Sequence, residues 1–258
     1  MREPAFEQKP VLEKRGSIPA DLFEATEQVL REAGGRGITV KLIGGIAFRY
    51  VCPSSREGSL ARNNNDMDLV VKRKDVGKLR KLMDSLGYEY PPRANVLHPD
   101  QILYEDNRNR RQVDIFVDGF QMCHRFDFRK GLEEMGPTLP ITELIMTKLQ
   151  IAEITRKDMQ DLGAAFYDFR LSQDKGSIRY DQIAGITSRN WGIWKDFTDN
   201  LERLKTQIGE IAPEKADAVI KRANALLGDI EKHPKSVSWR IRAQIGTRLP
   251  WHELPARR

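Results

Sequence analysis

The stretch that decides the fold reads Ile38-Thr39-Val40-Lys41-Leu42-Ile43-Gly44-Gly45. Its β-branched residues predict a strand over residues 38–43 that runs into a tight turn. Glycine has no Cβ, so two adjacent glycines let the backbone N–H groups of a turn approach a ligand closely, phosphate oxygens in particular. Gly44 and Gly45 are therefore candidate phosphate-binding residues, and a short helix over residues 46–51 is expected after them.

A pair of carboxylates follows on the next predicted strand, residues 66–71. Asp66 and Asp68 are separated by one residue, Met67. The two-residue period of a strand is expected to place both carboxylates on one face and Met67 in the core. Oxygen ligands in this arrangement suit hard divalent cations, so the pair predicts a site for Mg²⁺ or Mn²⁺.

A third carboxylate, Asp114, lies in the alternating run Val113-Asp114-Ile115-Phe116, which predicts a strand over residues 112–117. If this strand lies beside the strand of Asp66 and Asp68, its carboxylate meets the pair. Asp114 is then expected to act as a general base toward an acceptor hydroxyl or as a third metal ligand.

The polar loop over residues 53–65 adds one more candidate. Arg62 lies near its end, and a guanidinium group matches the oxygens of a phosphate bidentately. Arg62 is therefore a candidate residue for binding the phosphates of a nucleotide.

Together these segments resemble the DNA polymerase β-like nucleotidyltransferase superfamily, in which a strand, a Gly-Gly turn, a short helix and an Asp-x-Asp strand precede a later acid. The resemblance implies an α/β (α+β) nucleotidyltransferase fold. It also implies a Mg-dependent enzyme that moves a nucleoside monophosphate from a nucleoside triphosphate, such as ATP, to a hydroxyl acceptor. The gap from Gly45 to Asp66 is longer than in the family, and the polar loop accounts for the excess.

Residues 142–162 look like the helical signature of the AbiEii-type subgroup, so the resemblance spans residues 36–170. In that subgroup a helical lysine and a later acid in an Arg/Lys-Asp-x-x-Asp run support nucleotide binding. The resemblance implies these roles for Lys148, at the triphosphate, and for Asp158. The run from Thr155 to Asp158 also has the pattern of a capping box, and both interpretations stay open. Asp161 is not counted among the site residues.

The remaining sequence predicts three regions: an N-terminal arm (1–17), an α/β domain (18–137) and a helical domain (138–258). The first half carries further helices over residues 20–33 and 75–86, and strands over 101–104 and 112–117 joined as a hairpin. The second half carries helix patterns over residues 141–152, 159–166, 190–208, 214–227 and 236–247. The expected fold is a mixed β-sheet flanked by helices, followed by a C-terminal helical bundle.

Composition narrows the class of protein. The 258 residues are 40% hydrophobic and 31% charged, and no run approaches the roughly 18 apolar residues of a membrane span. The charged N-terminus does not have the pattern of a signal peptide, and Cys52 and Cys123 are too few for a disulfide framework. A cytoplasmic protein that does not bind membranes is expected. The net charge of +6 favours polyanionic partners such as nucleotides or RNA.

Three functions remain open. The AbiEii-type resemblance suggests a toxin-like enzyme that modifies RNA or tRNA and has an antitoxin partner. The same architecture in aminoglycoside and lincosamide nucleotidyltransferases modifies a small hydroxylated molecule. A noncatalytic nucleotide-binding module is the third alternative, and the presence of all three acids counts against it.

Overall fold

A computed structural model describes residues 16–91 and 100–253 of the chain. The predicted N-terminal arm, residues 1–17, therefore lies almost entirely outside the described residues. Among the residues that are described, no helix combines the length and the apolar character needed to cross a membrane.

The first half is built on a four-stranded sheet. Its strands are β1 (Val40–Ile43), β2 (Met67–Val71), β3 (Gln101–Asp106) and β4 (Arg111–Val117). The strand order is β1-β2-β4-β3; β2 pairs antiparallel with β1 and parallel with β4, and β3 and β4 form an antiparallel hairpin. The predicted mixed sheet and hairpin are confirmed, and the strands that carry Asp68 and Asp114 are neighbours.

Three helices accompany this sheet: α1 (Leu22–Gly35), α2 (Gly44–Val51) and α3 (Val76–Leu86). The helix after β1 begins two residues earlier than predicted. Gly44 has a φ of 64°, in the left-handed region that favours glycine, and the chain therefore passes from strand to helix without a separate turn. Both glycines consequently lie in the first turn of α2, where backbone N–H groups have no partner within the helix.

The prediction that Asp66 belongs to the second strand was wrong by one residue. Pairing of β2 with β4 begins at Met67, opposite Val113, and pairing with β1 ends at Asp68 because the chain turns into α2 after Ile43. Asp66 therefore precedes the ladder and is exposed, and the two-residue period does not determine its direction.

The second half is mainly helical, as predicted. Its helices are α4 (Ile141–Leu149), α5 (Arg156–Asp168), α6 (Tyr180–Thr187), α7 (Trp191–Ile211), α8 (Ala216–Lys232) and α9 (Val237–Ile245). The sequence did not predict α6. Nor did it predict the short strand pairs β5 (Gly119–Gln121) with β6 (Arg125–Asp127), and β7 (Leu171–Ser172) with β8 (Ile178–Arg179). Strands of two or three residues are too short to show a hydrophobic period.

One hydrophobic cluster connects the two halves. It contains Leu69 of the sheet, Phe48 of α2, Phe166 of α5 and Phe197 of α7, all fully buried. The helices α4 and α5 pack directly on α2, which holds the two glycines at its start between the sheet and the helical half. The domain bounds proposed above remain a prediction. Cys52 and Cys123 are both buried and unpaired, as expected for reduced thiols.

Leu69→Ala is expected to lower the free energy of unfolding by about 3 kcal/mol, because a fully buried leucine leaves a cavity under the sheet. Urea-induced unfolding followed by circular dichroism measures the loss. Met135, which is 99% exposed, provides the control, and Met135→Ala should change stability by less than about 0.5 kcal/mol. Equal effects of the two substitutions would contradict the described core.

Candidate active site

Two carboxylates lie side by side on the sheet. Asp68 of β2 and Asp114 of β4 are register partners in the parallel pair, so their side chains project from the same face of adjacent strands. Neighbouring strands are about 4.8 Å apart, a distance at which two negative charges interact strongly when partly shielded from water. The structure thus brings together the two acids that the sequence placed on separate strands.

Asp68 is half-buried, and no group within residues 16–91 and 100–253 donates a hydrogen bond to its carboxylate. Burial, together with the nearby charges of Asp114 and Asp66, raises the pKa of Asp68 to about 7; Lys148 and Arg62 act in the opposite direction. A carboxylate with this pKa is stabilised in its charged form by any cation that binds beside it.

Asp114 has a different environment. Gln101 Nε2 donates to its Oδ1 at 2.8 Å, and Gln112 Nε2 donates to its Oδ2 at 2.6 Å. Gln101 is on β3, and Gln112 is two residues before Asp114 on β4. The two amides fix the orientation of the carboxylate, and each carboxylate oxygen can accept more than one hydrogen bond. Neither glutamine was predicted: the contact of Gln101 depends on the β3–β4 register, whereas Gln112 lies on the same face of β4 as Asp114 and carried a local signal.

The two glycines at the start of α2 lie directly against these groups. A Cβ on Gly44 would overlap the carboxylate of Asp68, and a Cβ on Gly45 would overlap the guanidinium of Arg62. Gly44 therefore requires glycine, because of this close approach and because of its positive φ, whereas at Gly45 the overlapping group is the end of a flexible arginine side chain, which would have to move. Four residues predicted from the sequence, Gly44, Gly45, Arg62 and Asp68, thus meet at the start of α2.

A charged network joins the polar loop to the helical half. Arg62 donates to both oxygens of Asp161, from Nε at 2.8 Å and from Nη2 at 2.7 Å. Lys148 Nζ lies 2.7 Å from Asp158 Oδ1 and 3.0 Å from Asp161 Oδ2. Although burial opposes the charge on each cation, Asp161 raises the pKa of both, so both stay protonated.

Asp158 serves the network and its own helix at once. Its Oδ2 accepts hydrogen bonds from the backbone N–H and the hydroxyl of Thr155, which completes the capping box at the start of α5. The other oxygen accepts from Lys148, and Lys148 lowers the pKa of Asp158 despite its burial. The capping interpretation of the sequence is confirmed, whereas a contact between Asp158 and a nucleotide remains a prediction.

Asp161 is not among the predicted site residues, although it has the central position in the charged network. It is 2% exposed and pairs with both Arg62 and Lys148. The sequence carries a signal for it, because Asp158 and Asp161 are three residues apart and therefore lie on the same face of α5. Its partner Arg62 lies 99 residues earlier in the chain, a distance that no local pattern spans.

The oxygen atoms at the rim of the site fit a hard divalent cation. Neither Asp66 nor Asp68 accepts a hydrogen bond from the described part of the chain, and Asn64 Oδ1, beside Gly45, is buried there without a partner. Carboxylate and amide oxygens are the ligands that Mg²⁺ and Mn²⁺ prefer. The donor set therefore suits the predicted metal.

The three carboxylates that were predicted to bind metal do not form a ready-made metal site in the described part of the chain. Over residues 16–91 and 100–253, no three histidine, cysteine, aspartate or glutamate side chains are placed to hold a metal ion together. Asp114 is engaged by two glutamines, and Asp66 precedes the strand. Metal binding by Asp66, Asp68 and Asp114 thus stays a prediction.

The charges of the cluster do not balance. Its members are the acids Asp66, Asp68, Asp114, Asp158 and Asp161 and the cations Arg62 and Lys148, linked by the contacts and charge interactions described above. Five carboxylates against two cations leave a negative site, which repels a bare triphosphate and attracts divalent cations.

Comparison with known proteins gives distant likenesses. No family model matches the chain, and no curated protein is similar to its sequence. A solution structure of the antibiotic-resistance factor ANT(2'')-Ia is 13% identical, with a TM-score of 0.34, and the match covers 82% of this chain and 95% of that one. A crystal structure of ANT(2'')-Ia in complex with adenylyl-2''-tobramycin is 12% identical, with a TM-score of 0.33, and covers 79% and 97%. Likenesses this distant establish neither a family nor an activity for this chain.

Asp161→Asn is expected to destabilise the protein by about 3 kcal/mol, because it removes the charge that compensates buried Arg62 and part of that which compensates Lys148. Chemical denaturation measures the change. Asp127, an exposed acid paired with Arg129, is the matched control, and Asp127→Asn should have little effect. A loss at Asp161 no larger than at Asp127 would show that the network does not stabilise the fold.

The pKa of Asp68 predicts a pH dependence of stability. At pH values between the ordinary pKa of an aspartate and about 7, Asp68 is protonated in the folded protein and ionised in the unfolded chain. The stability of the fold therefore falls as the pH rises through this window. Asp68→Asn removes the effect and should gain stability relative to the parent between about pH 4 and pH 8 in metal-free buffer. Thermal unfolding of both proteins measures the difference.

This comparison cancels the contribution of Glu143, whose pKa burial also raises to about 7, because both proteins contain that residue. A difference between variant and parent that is constant over the whole pH range would rule out the raised pKa of Asp68.

Proposed function

We propose that this chain is a nucleotidyltransferase that transfers a nucleoside monophosphate from a nucleoside triphosphate to a hydroxyl group. One observation carries the proposal: Asp68, a carboxylate to which no described group donates, lies against the Gly44 backbone on one side and beside Asp114 on the other. A candidate metal ligand, a candidate phosphate-binding turn and a candidate base thus meet at one place.

The triphosphate is held by the start of α2 in this proposal. The first turn of a helix offers backbone N–H groups without partners, and the helix dipole favours an anion there. Because neither Gly44 nor Gly45 carries a side chain, Asp68 and Arg62 lie against the backbone beside these groups. Arg62, whose guanidinium borders Gly45, supplies positive charge to the phosphates while Asp161 holds it in position.

Asp66 and Asp68 would hold Mg²⁺ or Mn²⁺, with Asp114 as the third carboxylate. When bound, the metal offsets the negative charge of the phosphates and orients them. The raised pKa of Asp68 fits this role because a group that is costly to ionise in the empty site becomes a charged ligand when a cation arrives. Lys148, buried between Asp158 and Asp161, supplies a fixed positive charge behind the carboxylates.

Asp114 is proposed as the general base. Gln101 and Gln112 hold its carboxylate on the face of the sheet that carries Asp68. The acceptor hydroxyl gives its proton to an oxygen of Asp114 while its own oxygen forms a bond to the α-phosphorus. The bond from that phosphorus to the bridging oxygen breaks, and pyrophosphate leaves with the electron pair.

The proposal also includes the class of acceptor, for which there are two candidates. RNA or tRNA, modified by a toxin-like enzyme, is the primary acceptor class, and a small hydroxylated molecule is the alternative. The toxin-like role and an antitoxin partner both stay predictions from the resemblance. Tobramycin is a suitable representative of the second class because the crystal structure of ANT(2'')-Ia contains its adenylylated form.

Asp66→Asn is expected to lower transfer by at least about a hundredfold while preserving the fold, because Asp66 is exposed and lies outside the strand ladder. Each α-labelled triphosphate is incubated with Mg²⁺ and either total RNA or tobramycin, and label in either acceptor is measured. Asp127→Asn, a substitution of an exposed acid that pairs with Arg129, should retain full transfer.

Transfer by the parent to RNA alone or to tobramycin alone would decide between the two acceptor classes. Full transfer by Asp66→Asn would contradict the assignment of this residue, and a parent that binds no triphosphate with Mg²⁺ would contradict the proposed function itself.

A further inference from the structure

The last described helix, α9, exposes a row of apolar side chains. Val237, Ile241 and Ile245 follow one another at intervals of four residues, and Leu249 continues the spacing beyond the helix. Their exposed fractions are 65%, 59%, 36% and 55%, and α9 buries none of its residues. We call these four residues the α9 stripe. Isolated exposed apolar residues are ordinary, whereas a contiguous row of them marks an interaction site.

The stripe is presented on a fixed support. On the inner side of α9, the ring of Trp239 packs edge-to-face against Trp194, with centroids 5.2 Å apart. Arg242 lies over the ring of Trp191 at 4.8 Å and donates to the carbonyl oxygens of Gly246 and Leu249. The aromatic and guanidinium contacts hold the helix and the turn after it, so the stripe faces outward because the other side is already occupied.

The charged residues of the segment that carries the stripe are basic, and Glu231 and Glu253 lie just outside this segment. Residues 232–252 contain no aspartate or glutamate, and their cations are Lys232, Lys235, Arg240, Arg242 and Arg248. Arg240 and Arg248 are exposed beside the stripe, whereas Arg242 is engaged with the carbonyl groups. A partner that covers the stripe must therefore be apolar at its centre and acidic at its edges.

The shape of the stripe selects among such partners. Side chains four residues apart form a ridge of the kind that packs into the groove of a second helix. A helix that lies on a membrane has a wider apolar face, often with aromatic residues, and here the tryptophan of α9 packs inward. A second copy of the chain would bring its own Arg240 and Arg248 against the same residues, which like-charge repulsion disfavours.

We propose that the α9 stripe docks an amphipathic helix of a partner protein, with an apolar row flanked by aspartate or glutamate. The apolar row of that helix packs against Val237, Ile241 and Ile245, and its carboxylates pair with Arg240 and Arg248. This inference does not depend on the proposed transferase activity, since it rests only on the surface of α9.

The test uses the full chain and two synthetic helical peptides with the same row of leucines four residues apart. Glutamates flank the row in one peptide and lysines flank it in the other. Fluorescence anisotropy of labelled peptide measures binding. The glutamate peptide should bind at least about tenfold more tightly than the lysine peptide at roughly 50 mM salt, and more weakly at higher salt because ions screen the pairs.

Two variants of the chain test whether the peptide binds at the α9 stripe. Ile241→Asp places a charge in the centre of the stripe, and Val237→Asp places one at the first helical position, where a carboxylate is compatible with the helix dipole. Each should weaken binding of the glutamate peptide by at least about tenfold. Met135→Asp, which changes an equally apolar residue that is 99% exposed elsewhere on the surface, should leave binding unchanged.

Equal binding of both peptides, binding of neither, or binding that both stripe variants retain would overturn the proposal. Stripe-dependent binding to vesicles containing phosphatidylglycerol, or stripe-dependent dimerisation in sedimentation velocity, without binding of the glutamate peptide, would replace the acidic helix by a membrane or by a second copy.

Discussion

The structure depends on the parallel pairing of β2 with β4, which sets Asp68 beside Asp114. Two carboxylates in register repel each other, and the fold compensates them unequally. Asp114 receives two amide donors, whereas Asp68 receives none from the described residues and has a pKa of about 7. The sheet cannot relieve this repulsion by slipping, because a shift of one residue would turn Asp68 toward the face of β2 on which Leu69 is fully buried. A cation bound beside Asp68 would relieve the repulsion that remains.

The positive charges of the site are held in position by ion pairs that are largely shielded from water. Asp161 holds Arg62 from the polar loop and Lys148 from α4, and thereby ties the loop and two helices of the second half to the turn at Gly45. Long basic side chains lose much conformational freedom when they bind a phosphate, and a preformed network has already lost it. The polar loop before Asp66 thus brings Arg62 to its partner on α5.

The sequence predicted those parts of the site that local patterns encode. The strand before Gly44, the Asp68 strand, the β3–β4 hairpin and the capping box of Asp158 all follow from periods and short motifs, and all are present. The parts that it did not predict depend on long-range register. Gln101 meets Asp114 only through the β3–β4 pairing, and Arg62 meets Asp161 across 99 residues. Asp66 was misplaced because the end of a ladder is set by its partner strands, and Gly44 turns β1 away at that point.

The positions of the charged residues in the structure change the conclusion that is drawn from the net charge. A net charge of +6 favours polyanionic partners when the chain is considered as a whole. The candidate site, however, holds five carboxylates and two cations, so the excess positive charge lies elsewhere. Part of it is concentrated in residues 232–252, which have five cations and no acid, around an apolar row that a nucleic-acid backbone could not cover. The positive charge there is better matched by an acidic, apolar protein surface than by RNA. Net charge therefore carries no information about the acceptor, whose identity must come from the transfer reaction itself.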